Sequence, residues 1–225
     1  ALQAENSGKK VYHLHIGHHD VETPAQVMDA IRSFDKKVVA YGPSQGDPKL
    51  IAQVQKYYEA WGMHYEAKNI YITNGGSEAL ELAALALCDP GDEILVFEPF
   101  YANYNSFAKI SGAHVKAVPT HAENGYRLPD AATVEQYVSD KTRAILLTNP
   151  GNPTGVVYTK EEMDMVAGIV KKHGLALIAD EVYREFVYDG AYTSFGTYED
   201  LADNVIIIDS VSKRYSACGA RIGCL

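Results

Sequence analysis

The stretch SVSKRYSACGARIG, residues 210 to 223, puts Lys213 directly after an apolar run, with Arg221 eight residues further on. A lysine at a strand end, flanked by small hydroxyls and a glycine-rich turn, suits Schiff-base chemistry. Its amine must shed a proton to attack a carbonyl, and desolvation or a nearby cation lowers its pKa. The plain alternative is a surface lysine beside a turn. ADEVYREF, residues 179 to 186, ends the run LALI on Asp180. A carboxylate there needs a partner, because burial otherwise neutralises it. A protonated ring nitrogen would serve; so would a nearby arginine or a backbone donor. Tyr183 lies three residues on and can face the same space.

Two turns complete the set. NPGNPTG, residues 149 to 155, follows the run RAILLT, and its prolines and glycines force a sharp turn that can aim Asn152 into a pocket. Taken alone it is a common kind of loop. TNGGSEAL, residues 73 to 80, stands between a strand pattern and a helix pattern. The backbone amides of Gly75, Gly76 and Ser77 would point at an anion near the helix start; the plain alternative is a tight turn with Ser77 as N-cap.

The order of these motifs resembles that of the class I/II aminotransferases, which depend on pyridoxal 5'-phosphate (PLP). That family carries a glycine-rich phosphate turn, an aromatic segment, Asn-Pro-x-Gly, Asp-x-x-Tyr, and Ser-x-Ser-Lys with a downstream Gly-x-Arg-x-Gly; the resemblance runs from about Leu14 to the last residue. It implies that Lys213 forms the Schiff base and shuttles the proton, that Asp180 pairs with the pyridinium nitrogen, and that Asn152 and Tyr183 hydrogen-bond the ring hydroxyl oxygen. Tyr101, in EPFYANY, matches the stacking aromatic. Gly75, Gly76, Ser77, Ser210 and Arg221 match the phosphate binders. Tyr41 matches a tyrosine that reaches the phosphate of the partner subunit of a homodimer. Gly17 matches a glycine whose backbone lies beside the substrate carboxylate, an edge that Asn152 also borders. The implied reaction is ping-pong transfer of an amino group from an amino acid, aspartate-like in the first instance, to a 2-oxo acid. PLP's phosphate, ring and aldehyde make three demands, and a helix start with an arginine, a carboxylate and a lysine meet them one for one.

Two features depart from the family. Its Gly-x-Pro-Asp opening is here Gly17-His18-His19-Asp20. With His13 and His15 nearby a metal site comes to mind, but the spacing fits no ligand pattern, and no metal is expected. The family also continues beyond the position of Leu225 into a smaller C-terminal domain carrying the arginine that clamps the substrate carboxylate. Neither Arg184 nor Arg214 matches that motif. The ending RIGCL reads as a strand cut short, so a piece of a longer enzyme is expected. The same motifs serve lyases and synthases. The same domain also occurs as a PLP-binding ligand sensor in transcription regulators, against which stand the acidic charge and the lack of a basic segment before Leu14.

The elements that would position these residues are written in the pattern. VYHLHIG reads as extended. A helix is expected after Thr23 (cap), Pro24 and Gln26 (capping box), with Val27, Met28, Ile31 and Phe34 on its apolar face. A second begins at Asp47-Pro48, buries Leu50, Ile51, Val54, Tyr57, Tyr58 and Trp61, and ends at Gly62. From Ile70 on, the runs IYITN, EILVF, HVKAV, RAILLT, LALIAD and NVIIID read as strands. SEALELAALALC and KEEMDMVAGIVKKH read as helices between them, the latter with a Thr159–Glu162 capping box and Gly174 after its end. Near-continuous apolar strands separated by helices mean an α/β fold of three layers, with a mostly parallel sheet of about seven strands covered on both faces, as in the PLP-transferase fold type I large domain. Ligands of such sheets bind at the carboxyl ends of the strands, where the motifs lie. Residues 1–45 are assigned to the N-terminal segment of the small domain, and residues 46–225 to a PLP-binding large domain incomplete at its C-terminus.

With 225 residues, 47% hydrophobic and 22% charged, the chain can build a sizeable core. A net charge of -9 with no basic run argues against a nucleic-acid partner. No apolar run approaches the ~20 residues that cross a bilayer. The start, ALQAENSGKK, lacks a signal core, so a cytoplasmic location is expected and no membrane partner. Cys88, Cys218 and Cys224 have no metal spacing and read as free thiols.

Overall fold

The computed structural model describes residues 1–12 and 20–225. The expected extended piece around His13–Gly17 and the histidine cluster therefore lie outside the described residues, Tyr12 and Asp20 at their flanks excepted. The chain divides into two compact units, Ala1–Asp35 and Lys36–Leu225, a boundary ten residues earlier than the one expected from sequence.

The first unit holds α1 (Leu2–Asn6) and α2 (Ala25–Arg32). α2 starts one residue later than its capping signal suggests. Pro24 occupies the N-cap with no side-chain cap hydrogen bond, so the expected Thr23–Gln26 capping box does not form. A proline at N-cap has fixed φ and no side-chain acceptor to offer. No residue of α2 is buried, and Ile31 and Phe34 of its apolar face are exposed.

The second unit runs α3 (Pro48–Glu59), β1 (Ile72–Thr73), α4 (Gly75–Leu87), β2 (Glu93–Glu98), α5 (Tyr104–Ile110), β3 (His114–Pro119), α6 (Ala131–Glu135), β4 (Thr142–Thr148), α7 (Lys160–His173), β5 (Ala176–Asp180), β6 (Val205–Ser210), α8 (Val211–Arg214) and β7 (Gly223–Cys224). The seven strands form one sheet in the order β1-β7-β6-β5-β4-β2-β3. β2 through β6 pair in parallel, and β7 lies antiparallel between β1 and β6.

Strand residues alternate between two cores, as the period of two requires. Leu95, Phe97, Ile145, Leu147, Leu177, Ala179 and Ile207 pack with Ile51 and Tyr58 of α3 and Met163, Val166 and Val170 of α7. Ile94, Val96, Ala144, Leu146, Ile178 and Ile208 pack with Ala79, Leu80 and Ala83 of α4 and Tyr104 and Phe107 of α5. This is the expected three-layer α/β/α fold.

The capping signals of α3 and α7 are realised. Asp47 accepts from the Lys49 amide at 2.7 Å. Thr159 and Glu162 form a reciprocal capping box, and Gly174 takes the left-handed conformation with φ 61°. α3 stops at Glu59, three residues before Gly62. Of IYITN, β1 takes in Ile72 and Thr73, with Tyr71 exchanging two backbone hydrogen bonds with Leu225, while the Ile72 amide on the outer edge donates to the Gln45 carbonyl at 2.8 Å. α4 begins at Gly75, with Asn74 rather than Ser77 as N-cap. α5 and α6 carry too few periodic residues to be read from the sequence.

Replacing Thr159 by Ala removes one half of the α7 capping box, and urea unfolding is expected to lose about 1 kcal/mol with an unchanged slope. An unaltered midpoint would mean that Glu162, which also accepts from Arg127 and Leu128, holds this helix start alone.

Candidate functional site

The carboxyl ends of β5 and β6 lie side by side, in register from Leu177↔Val205 to Asp180↔Ile208. β5 ends on Asp180, which is 4% exposed. Its Oδ2 accepts from the hydroxyl of Tyr104 at 2.6 Å, and its Oδ1 from the Val182 amide at 3.4 Å. Tyr104 also hydrogen-bonds Thr148, at the end of β4. Both donors to Asp180 are neutral. No ion pair among the described residues reaches this carboxylate. The two arginines nearby in sequence are engaged elsewhere: Arg184 with Glu181 and Asp209, Arg214 with Asp209. The arginine partner left open by the sequence is thereby excluded.

Burial therefore dominates and raises the Asp180 pKa from 3.8 to about 6, against the lowering effect of the Tyr104 and Val182 hydrogen bonds. Tyr104 in turn is held well above its ordinary value, by burial first and by the Asp180 charge second. Tyr183 is raised by burial and then by Asp180, Tyr101 and Cys218, which places these four groups around one space.

Lys213 sits half-buried on α8, the short turn that follows β6, and Ser210 caps this turn by accepting from the Ser212 amide at 3.0 Å. The Lys213 amine lies 4.0 Å from the Cys218 sulfur and 5.9 Å from the centre of the Tyr183 ring. Among the described residues it has no carboxylate partner.

The start of α4 meets the same strand ends. A Cβ at Gly76 would stand 3.7 Å from Ser210 Cβ and 3.6 Å from a Val182 methyl. Gly75 has φ 81°, and a Cβ there would collide with the Arg221 guanidinium; one at Gly223 would collide with the backbone of Gly75 and Gly76. Arg221 itself holds a left-handed backbone (φ 52°), a strained conformation for a residue with a side chain. Its Nη2 donates to the Asn74 carbonyl at 3.3 Å. The glycine turn, Ser210 and Arg221 thus share one edge, with a cation at a helix N-terminus. Ser77 lies in the first turn of α4.

Tyr101 packs edge-to-face on Tyr104 with ring centres 5.5 Å apart. Asn152 lines a small cavity with Tyr104, Thr148, Phe97 and Tyr158. Tyr41 is fully exposed at 107%, so this chain does not bring it to the cluster. Gly17 lies outside the described residues. Tyr104 was missed by sequence reasoning, although its place three residues after Tyr101, at a helix start, put it one turn from a residue already singled out.

These groups fit PLP. A desolvated carboxylate with only neutral donors answers a ring cation, a half-buried amine answers an aldehyde, and a glycine turn with an arginine answers a phosphate. Such a cofactor would be held by Asp180, Lys213, Arg221 and the start of α4.

Residues 9–225 match the family described as aminotransferase class I and II. The aspartate/prephenate aminotransferase of Thermus thermophilus is 30% identical over 225 residues, covering 99% of this chain and 58% of that protein. The crystal structure of an aspartate aminotransferase from Thermotoga maritima superposes with a TM-score of 0.93 at 32% identity, over 99% of this chain and 60% of that one. An alanine aminotransferase from Pyrococcus furiosus gives 0.91 at 31% identity, over 99% and 57%. The chain spans a little over half the length of the curated relatives it matches.

The raised Asp180 pKa has a consequence for stability without added cofactor. Below 3.8 the carboxyl is protonated in folded and unfolded chains alike, and its burial carries no charge penalty. As the pH rises through about 6 the folded chain must hold a buried anion, and that stability is lost. Relative to Asp180→Asn, which cannot ionise, the unaltered chain is expected to lose ~3 kcal/mol across this window and nothing further above it. Denaturation curves at a series of pH values check this; parallel pH profiles for the two proteins would contradict it.

Proposed function

This chain belongs to the class I and II aminotransferases, and from that premise we propose that it is the PLP-binding part of an enzyme that moves an amino group from an amino acid to a 2-oxo acid. The observation that carries the proposal is Asp180: a buried carboxylate given two neutral hydrogen bonds and, among the described residues, no cation.

When bound, PLP supplies an aldehyde for the amine and a cationic ring that stores electrons. Every other task falls to the chain. Asp180 keeps the ring nitrogen protonated, because the pair neutralises a carboxylate that burial otherwise penalises. The Tyr104 hydroxyl fixes the orientation of Asp180 from the side. Tyr183 and Asn152 donate to the ring hydroxyl oxygen, and Tyr101 covers the ring face. Arg221, Ser210 and the amides at Gly75, Gly76 and Ser77 hold the phosphate, with the α4 dipole aligned to favour it. The amine of Lys213, half-buried and with no acid partner among the described residues, would hold the cofactor through its aldehyde and, when free, would be placed to move the α proton of the substrate. Asn152 borders the substrate carboxylate.

The family contains proteins named for aspartate, prephenate and alanine. We take an aspartate-like amino acid as donor and a 2-oxo acid as acceptor, since aspartate recurs among the most similar relatives. We also propose a cytoplasmic homodimer in which Tyr41 serves the partner's phosphate. Val38, Val39 and Tyr41, three exposed apolar side chains on the segment before α3, support a covered role for that segment. No helix among the described residues is long and apolar enough to cross a membrane. Residues 46–225 are assigned to the cofactor-binding domain, and residues 1–45 to part of a smaller one.

Incubation with PLP, borohydride reduction and peptide mapping test the assignment. The label is expected on Lys213 and should vanish in Lys213→Ala. Equal labelling of surface lysines, unchanged in that variant, would remove Lys213 from its proposed role.

A further inference from the structure

Beside the proposed site lies a charge cluster to which that chemistry gives no task. Glu181, Arg184, Asp209 and Arg214 have side chains 1%, 0%, 3% and 12% exposed. Arg184 donates to Glu181 Oε2 through Nε at 3.1 Å and Nη2 at 2.8 Å, and to Asp209 Oδ2 through Nη1 at 3.0 Å. Arg214 donates from Nη2 to both oxygens of Asp209 at 2.8 and 2.9 Å. Asp209 also receives the Ser210 amide at 2.7 Å, and Glu181 receives the Ser194 hydroxyl and the Phe195 amide.

We propose that Arg184 is a positioning residue: by gripping Glu181 and Asp209 together, it fixes the turn that carries Lys213 relative to the strand end that carries Asp180. This rests on the roles assigned above to those two residues.

The reason is topological. The ladder between β5 and β6 stops at Asp180↔Ile208, and beyond it the Glu181 amide still bonds the Ile208 carbonyl at 3.0 Å. After that point β5 leaves the sheet, while Asp209 and Ser210 of β6 stay paired with β7; no ladder pair sets the spacing between Glu181 and Asp209. Glu181 directly follows Asp180, and Asp209 precedes the α8 turn on which Lys213 stands. One guanidinium spans both carboxylates, and Arg214, the neighbour of Lys213, ties that turn back to Asp209. Arg184 also donates to the Tyr57 hydroxyl of α3 at 3.2 Å, while its plane packs near the rings of Tyr58 and Trp61. Sheet, turn and helix thus converge on one rigid, planar donor.

The cluster is poorly explained by stability alone. Buried ion networks are often no more stable than apolar packing of the same volume. What they add is direction, because the five donors of arginine form a fixed fork. At the rim Glu185 lies 3.7 Å from Arg214 Nε and accepts from the Tyr57 hydroxyl at 2.7 Å. Asp209 and Glu181 both push the Asp180 pKa upward.

The test compares the chain with Arg184→Lys, which keeps the charge but loses the fork, and with Arg214→Met at the rim of the cluster. Three quantities are read: far-UV circular dichroism, the rate of borohydride-trapped PLP appearing on Lys213, and the pH midpoint of the absorbance of bound PLP. Both variants are expected to fold and bind PLP, with trapping at Lys213 slowed roughly ten- to a hundredfold, as for a reacting group displaced from its productive place, and with a shifted midpoint. Folded variants with the unaltered chain's rate and midpoint would overturn the proposal. Should Arg184→Lys fail to fold, the same comparison on Arg214→Met decides. No trapping on Lys213 in the unaltered chain would instead overturn the functional assignment on which the proposal rests.

Discussion

Asp180 ends β5 in the interior of a parallel sheet, where helices close both faces and water does not reach its carboxylate. Removing a charge from water is costly unless something answers it. Around Asp180 the answers among the described residues are a phenol and a backbone amide, and Arg184 and Arg214 are committed to Glu181 and Asp209. The carboxylate is left partly protonated near neutrality, with a pKa of about 6. A cation brought to that position would draw the value down and recover the lost stability. Cofactor affinity and the electronic state of the ring are then one linked quantity.

The remaining parts of the site are arranged around that strand end by the topology. Parallel pairing brings the ends of β4, β5 and β6 to the same edge, so Thr148, Asp180 and Ser210 become neighbours although far apart in sequence. β7 returns antiparallel and presses Gly223 onto the backbone of Gly75 and Gly76. A side chain at Gly223 would push the start of α4 away from the sheet. The close approach brings the start of α4, Ser210 and Arg221 to one edge, where an anion meets backbone amides and a guanidinium together.

Much of this was legible in the sequence because the decisive signals are local. The capping box of α7 and the Asp47–Pro48 start of α3 are spelled in adjacent residues. The runs RAILLT, LALIAD and NVIIID announce buried parallel strands, and the polar residue at each end marks the functional edge. What was not legible depended on contacts distant in sequence. Tyr104 and Asp180 are 76 residues apart, and nothing in EPFYANY says which tyrosine turns inward. The pairing of Arg184 with Asp209 has no local signal, since 25 residues separate them and only the sheet brings them together. β1 is shorter than IYITN because its one partner, β7, is itself only two residues long. The α2 cap failed for a local reason, since a proline signal at the first helical position does not distinguish N1 from N-cap.

The central assignment is that Asp180 holds a cofactor ring in its protonated form. It is tested most directly by 15N NMR of PLP labelled at the ring nitrogen and bound to the chain. The nitrogen is expected to carry its proton at neutral pH and well above it, with Asp180 as the partner, and to lose it in Asp180→Asn bound under the same conditions. A bound ring that is neutral in the unaltered chain, or a protonation state indifferent to the Asp180→Asn change, would contradict the assignment.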